Sequence, residues 1–327
     1  MRKEQIIREI ASKFRLSEEK VREDFENLLK QYEGLAEKIA VKKTARRLAR
    51  MYKNTEEYVG FIIGVSEARD RVAILKAKAL KLFQENPEEA IASGVVNANG
   101  IPLDVRETIR GRPNPNYGMP FKEDEHEWVR DIYGIIRFNG VWKPFRISVW
   151  GSSARELDLP LFTPVRFRAI YKGEVNEWIQ LNISRFTSFQ PIKEELDIYD
   201  IIKKTLGISP LSRVKRIAKG SRFYPIVTEG DVTRIRLEPL PTGNRLAWVD
   251  DDTLSWEEDE IMLLIPAHIQ LTFGEGSRIM IVGLPRLLVR DTQERVSILV
   301  LGIYPLSVSN SSPDEEEVVK LEWEEVE

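Results

Sequence analysis

The 327 residues are 42% hydrophobic and 31% charged, with seven tryptophans, no cysteine, two histidines (His126 and His268) and a net charge of −3. Without cysteine there is no disulfide, thiol nucleophile, iron–sulfur cluster or Cys-based zinc site, and two histidines leave little for a zinc site of any kind. The length suits two domains or three small ones, and no apolar run approaches the 18 residues of a membrane span, so a soluble chain is expected. The charge is uneven. Residues 314–327, DEEEVVKLEWEEVE, hold eight acids and one lysine (−7), which leaves 48 Lys+Arg against 44 Asp+Glu (+4) on the rest. A mildly basic body suits phosphates, and an acidic tail suits a basic partner or solubilises the chain.

The N-terminus, MRKEQIIREIASKF, is charged and amphipathic and lacks the apolar core of a signal peptide. Residues 1–55 read as a helical module, with Ser17-Glu18-Glu19 as a capped start and Gly34 as a stop. In LAEKIAVKKTARRLARMYK, Leu35, Ile39, Leu48, Ala49 and Tyr52 are available to an apolar side. Lys38, Lys42, Lys43, Arg46, Arg47 and Arg50 form a basic side. That stripe suits nucleic acid, but no aromatic interleaves it, so a solvated helix face is the expectation. Residues 58–75 are β-rich, a helical stretch runs from Lys76 to about Glu89, and a Gly/Pro/Asn-rich segment follows. Together residues 76–127 look like an insertion.

Strand patterns resume at VRDIYGIIRFNGVWKPFRISVWGSSA, with a hairpin turn at Asn139-Gly140. Then comes VRFRAIYKGEVNEWIQLNISRFTSF. Val165, Phe167 and Ala169 alternate with Arg166 and Arg168, and Ile179, Leu181 and Ile183 alternate with Trp178, Gln180 and Asn182. Period-two alternation marks half-buried strands. Residues 193–220 return to helical spacing and read as a connector, and a second β-rich block spans 221–308. Its pair SRIMIVGLPRLLVRDTQERVSILVLGIYPL repeats the earlier hairpin weakly, since Val165 to Pro191 and Ile279 to Pro305 share one separation. Both alternating sets of this pair are apolar, the mark of strands buried on both sides.

The stretches IYGIIRFNGVWKPFRISVWGSSA, LPLFTPVRFRAIYKG and WIQLNISRFTSF, with the aliphatic–Trp pair Val149-Trp150, resemble the oligonucleotide/oligosaccharide-binding (OB) barrels of archaeal replication protein A. The helical segment GLAEKIAVKKTARRLA is similar to the module preceding those barrels in archaeal members. The likeness covers 130–191 best. It implies a mainly β, α+β multidomain chain: a helical module (1–55), a first OB barrel (56–192) with the insertion, the connector, a second OB barrel (221–308) and an acidic disordered tail (309–327). Absent cysteine departs from the zinc-bearing large subunits of that family. The Glu, Lys and Arg usage fits a thermophile.

The resemblance implies sequence-tolerant binding of single-stranded DNA in replication, recombination or repair, without catalysis and without a cofactor. Such a site needs cations along a groove and flat surfaces for base stacking. The expected residues are Trp142, Arg146, Trp150, Arg166, Arg168, Tyr171, Lys172, Trp178 and Gln180, lining one concave face and its turns. Auxiliary contact is assigned to Arg222, Phe223, Tyr224, Arg234, Arg236, Arg245 and Trp248. Expected partners besides DNA are smaller OB subunits or a second copy through the second barrel, and replication or repair proteins through the tail, in a cytoplasmic, nucleoid-associated protein. The alternatives are an interaction subunit whose partner holds the DNA, and an RNA-binding OB protein. No phosphate loop, GxGxxG, GxSxG or HExxH pattern occurs. The acidic run Asp250–Glu260 reads as a solvated turn ahead of a metal cluster.

Overall fold

The computed structural model describes residues 3–14, 16–32, 34–53, 55–109, 112–157, 159–183, 187, 189–219, 224–236, 238–254, 260–290 and 293–307. The chain divides into two compact units, Met1–Ile201 and Ile202–Glu327. Among the described residues no helix is long and apolar enough to cross a membrane.

Three helices open the first unit: α1 Lys3–Phe14, α2 Glu18–Leu29 and α3 Glu37–Lys53. Ser17 caps α2, its hydroxyl accepting from the Lys20 amide at 3.3 Å, and Glu18 and Glu19 favour the positive end of the helix dipole. The apolar sides of the three meet in one cluster that includes Ile7, Val21, Phe25, Leu28, Leu48 and Tyr52.

Strand β1 (Glu56–Val65) then begins a barrel. A short β2 (Arg69–Asp70) leads into α4 (Arg71–Glu85), α5 (Pro87–Ala92) and a small hairpin, β3 (Thr108–Ile109) with β4 (Arg112–Pro113). Asp70 accepts from the Val72 amide at 3.0 Å and so caps α4. Residues 71–75, β-rich in composition, are therefore helical, because a cap outweighs local propensity. The connecting segment has its own small core around Ala79, Ala90, Val96 and Phe83.

The barrel resumes with β5 (Trp128–Phe138) and β6 (Val141–Trp150), joined at Asn139 (φ 51°) and Gly140 (φ 80°) as the sequence predicts. After the single turn α6 (Ser153–Glu156) come β7 (Pro164–Val175), β8 (Trp178–Asn182) and β9 (Gln190–Pro191). The β7–β8 turn is only Asn176-Glu177, so Tyr171 and Lys172 belong to β7 and not to a turn. The pairing runs β1–β5–β6–β8–β7, and β7 returns to β1 to close the barrel. Its third and fifth strands are parallel, with Phe145 beside Ile179.

In the second unit α7 (Ile198–Leu206), which spans the division, and α8 (Leu211–Lys219) precede β10 (Ile226–Arg236). The remaining strands are β11 (Arg245–Asp250), β12 (Ile261–Ile265), β13 (Arg278–Arg290) and β14 (Gln293–Ser307). They close in the same order, β10–β11–β12–β14–β13, again with third and fifth strands parallel. Leu211 and Val214 of α8, within the expected connector, sit in this barrel's core with Val249, Leu263, Ile281 and Ile298. The fold is thus mainly β with a helical N-terminus and two five-stranded OB-type barrels. The weak hairpin repeat corresponds to strands four and five of each.

Gly134 of β5 faces Phe145 across the strand pair. An added Cβ there would sit 2.4 Å from the Phe145 ring and 2.5 Å from the Phe61 carbonyl oxygen. Gly134→Ala is expected to cost about 1–3 kcal/mol through overpacking. A lowered thermal midpoint checks it, and an unchanged one would show that the ring can yield.

Candidate nucleic-acid interface

Alternation sorts inside from outside correctly in the first barrel. Val165, Phe167, Ala169, Ile179 and Leu181 fill the core with Phe145, Ile147 and Val149. The outward residues, however, do not form one face. The first half of β7 pairs with β1, where Arg166 lies beside Val59 and Arg168 beside Glu57; only from Ile170 does β7 pair with β8. Arg166 reaches Glu57 at 3.6 Å. Arg168 donates to the Thr55 carbonyl at 2.7 Å and lies 5.3 Å from the Tyr52 ring at the end of α3. It fastens the helical module to the barrel. These two arginines are therefore removed from the expected groove.

The outer wall of β5, β6 and β8 differs from expectation in a second way. Trp178 is only 6% exposed and meets the buried Tyr133 edge to face at 5.8 Å. A buried indole has no free ring face for a base. Gln180 is half-buried, and its amide donates back to the Trp178 carbonyl at 3.0 Å. Arg146 donates to Asp131 at 3.0 Å, and that buried carboxylate also accepts from Ser148 at 2.6 Å and Arg69 at 3.3 Å. The middle of the wall is thus a neutralising knot around Asp131.

The two ends of the same wall are more open. At one end Trp142 is half-buried, with Phe61 at 6.0 Å on one side and the Arg137 guanidinium 4.9 Å from its ring. Nearby Tyr171 is exposed and stacks on Phe138 at 5.5 Å, and Lys172 is exposed. At the other end Trp150 is 40% exposed, with the Arg71 guanidinium 5.8 Å from its ring. Beside it Trp128 carries His126 stacked at 6.1 Å and Arg155 at 4.8 Å. Arg71, His126, Trp128 and Arg155 were missed in the sequence. The signal was there, since Trp128 opens β5 and its neighbour Val129 pairs with Trp150.

The β1–β5 connection bounds this second end, and a buried ion cluster holds it in shape. Arg106, 4% exposed, donates to Asp104 at 2.7 and 2.8 Å and to Glu127 at 3.0 Å, and pairs with Glu125. Asn114 donates to Asp104 at 2.8 Å. Burial pushes the Asp104 carboxyl up, but the hydrogen bonds from Arg106 and Asn114 outweigh it and hold the group below the usual carboxylate range. The same bonds, led by Asp104, raise Arg106. Next to the cluster Asp70 meets the Nδ1 of His126 at 2.5 Å.

In the second barrel Arg234 and Trp248 face each other across β10 and β11, with the guanidinium 4.0 Å from the ring. Glu260 neutralises Arg234 at 3.1 Å. Arg236 and Arg245 are exposed at the ends of those strands, and Tyr224 is half-buried ahead of β10. Arg222 and Phe223 lie outside the described residues, as do residues 255–259 of the acidic run and the tail from 308 onward. In the second apolar set of β13 and β14, Met280, Val282 and Leu301 are buried, and Leu284 and Leu299 are half-buried. Among the described residues no group of three or more His, Asp or Glu side chains is placed to hold a metal ion.

No family model matches the chain, and no curated protein does. Among solved structures it is similar to a murine DNA-binding protein bound with double-stranded DNA, at 8% identity, covering 76% of this chain and 99% of that one, TM-score 0.26. It is similar to an Ifi202 HINa domain in complex with 20-bp double-stranded DNA, at 8% identity, covering 76% of this chain and 96% of that one, TM-score 0.29. It is also similar to a replication protein A heterotrimer bound to single-stranded DNA, at 7% identity and TM-score 0.39. That match covers 77% of this chain and 50% of the other, so the chain spans half of that relative's length. At these TM-scores the fold assignment stays with strand order and pairing.

Replacing Arg106 with Met strands buried Asp104 without its cation and leaves Glu127 with Arg71 at 3.6 Å, a change expected to cost about 3–5 kcal/mol. Hydrogen exchange over residues 71–127 should rise while the β-strands stay protected. In the wild type the same cluster gives an acid limit. Asp104 has a depressed folded value, so its contribution is complete above the unfolded carboxylate range near about 4 and is lost as pH falls through the depressed value. Exchange in 71–127 that is flat through this window would exclude the cluster as the fastening.

Proposed function

We propose that the chain binds single-stranded nucleic acid along the outer wall of β5 and β6, without catalysis. One observation carries this reading: Trp150 stands open on the second and third strands of an OB barrel, with a guanidinium beside its ring. That strand pair and its flanking loops are where OB barrels take oligonucleotides and oligosaccharides. A stacked base needs a flat apolar surface and a nearby cation for its phosphate; Trp150 supplies the surface, and Arg71, which also pairs with Glu127 at 3.6 Å, supplies the cation. Trp142 with Arg137 at the far end forms a second, half-buried pair, whose guanidinium also donates to Glu194 at 2.8 Å. The mildly basic body outside residues 314–327 favours a polyanion over a neutral sugar.

The preferred ligand in this reading is single-stranded DNA, in replication, recombination or repair. The acidic segment 314–327 serves a basic protein partner. Its removal leaves DNA affinity equal or higher, because a net charge of −7 leaves with it.

Titration with oligo(dT), followed by tryptophan fluorescence, tests the proposal. Trp150→Ala should weaken binding by about 5- to 150-fold, the equivalent of the 1–3 kcal/mol that one stacked base contributes. Trp248→Ala should change it less, because Arg234 already occupies a face of that ring. Absent binding, or an affinity indifferent to Trp150, would overturn the reading. Preference for oligo(rU) would move the ligand to RNA.

A further inference from the structure

Helix α3 carries seven cations and one acid in 17 residues. Its neighbours show how such charges are usually settled. Across α1 and α2, Arg22 meets Glu4 at 2.6 Å, Arg8 meets Glu18 at 3.6 Å, and Lys3 pairs with Glu26. On α3 the pattern stops. Lys38, Lys42, Lys43, Arg46 and Lys53 are all exposed, and among the described residues none has an ion pair or a hydrogen bond. At 100° per residue these five fall on one side of the helix. From Lys38 to Lys53 that side is about 22 Å long.

Like charges at i and i+4 destabilise a helix, and α3 bears Lys38, Lys42 and Arg46 in such a row. The row stands only because the opposite side is committed to the bundle core through Val41, Leu48 and Tyr52. That commitment also decides what the cations can meet. A helix lying in a membrane surface buries its apolar side in lipid. The apolar side of α3 is already spent inside the protein, and what remains outward is charge around one exposed aliphatic, Ile39. A long, rigid, unneutralised cationic side of this kind fits a chain of phosphates.

We propose that this side of α3 is a second nucleic-acid surface, which holds the sugar–phosphate backbone while the barrel wall takes bases. It deepens the reading of Trp150 and shares with it the polyanion, not the indole. The module is held against the barrel by Arg168 on Tyr52 and Thr55, and by the Lys20 amine on Gln190 of β9 at 3.4 Å. Backbone contacts on α3 therefore extend one footprint within the first unit.

The test uses the full chain with Lys38, Lys42, Lys43 and Arg46 changed to Gln, a good helix former that leaves the core untouched. Arg46→Glu alone serves as a second, milder variant. Binding to oligo(dT) and to a 20-bp duplex is measured across salt. The slope of log affinity against log salt should shrink by about 0.7 for each phosphate lost on a single strand and about 0.9 on a duplex, with affinity at low salt down about tenfold or more. Trp150→Ala should lower affinity for oligo(dT) and leave that slope as it was. A quadruple variant with wild-type slope on both probes overturns the inference, as does wild-type protein that binds neither. Binding to phosphatidylserine vesicles in preference to both nucleic acids makes the side a membrane surface and overturns it too. Duplex binding whose slope depends on α3, with no response to oligo(dT), sustains the inference and sinks the reading of Trp150 alone.

Discussion

The backbone hydrogen bonds between β1 and the first half of β7 close the first barrel, and closure decides what each outward side chain can meet. In an open sheet, Arg166 and Arg168 would share a surface with Arg146 and Trp150. Rolling the sheet until β7 meets β1 carries those two arginines around to the side where the helices sit. Arg168 then finds Tyr52 and Thr55, and Arg166 finds Glu57. The bend that permits this lies within β7, where the register shifts between Tyr171 and Gly173. Strand β7 serves two neighbours in turn.

The same closure explains why the middle of the β5–β6 wall is unlike its ends. Asp131 sits where Arg69, Arg146 and Ser148 converge, so a buried carboxylate absorbs both Arg69 and the Arg146 that the sequence assigns to a ligand. Removing water from Asp131 is tolerable only with those partners, and they are thereby withdrawn from any ligand. The ends escape this. Trp150 closes β6 next to the capped start of α4, and Trp142 opens β6 beside the Asn139-Gly140 turn, so each indole meets a guanidinium and keeps some ring outward.

The legible part of the fold was whatever depends on local period and turn chemistry. Alternation in VRFRAIY and WIQLN named the core side, Asn139-Gly140 named its hairpin, and Ser17 named a helix start. The two hairpins of equal span marked the repeated strands four and five. Direction around the barrel was not legible, because it depends on which strand pairs with which half of β7, a long-range choice with no local signature. For the same reason Trp178, polar-sided by its alternation, is found against Tyr133, 45 positions earlier. The Arg106 cluster was equally hidden. Asp104, Asn114, Glu125 and Glu127 are ordinary loop residues until the connection folds back on itself.

Charge shows the division most sharply. The sequence reports how many cations a helix carries, and its spacing reports which side they share. It does not report where the acids of neighbouring helices end up. Glu4, Glu18 and Glu26 of α1 and α2 are drawn into pairs with cations of those same helices, because the two are joined closely enough for Glu4 to reach Arg22 and Glu18 to reach Arg8. Helix α3 enters the bundle by its apolar side, and among the described residues Lys38, Lys42, Lys43, Arg46 and Lys53 receive none of them. An unneutralised cationic side is then a consequence of packing geometry, and composition alone would have averaged it away.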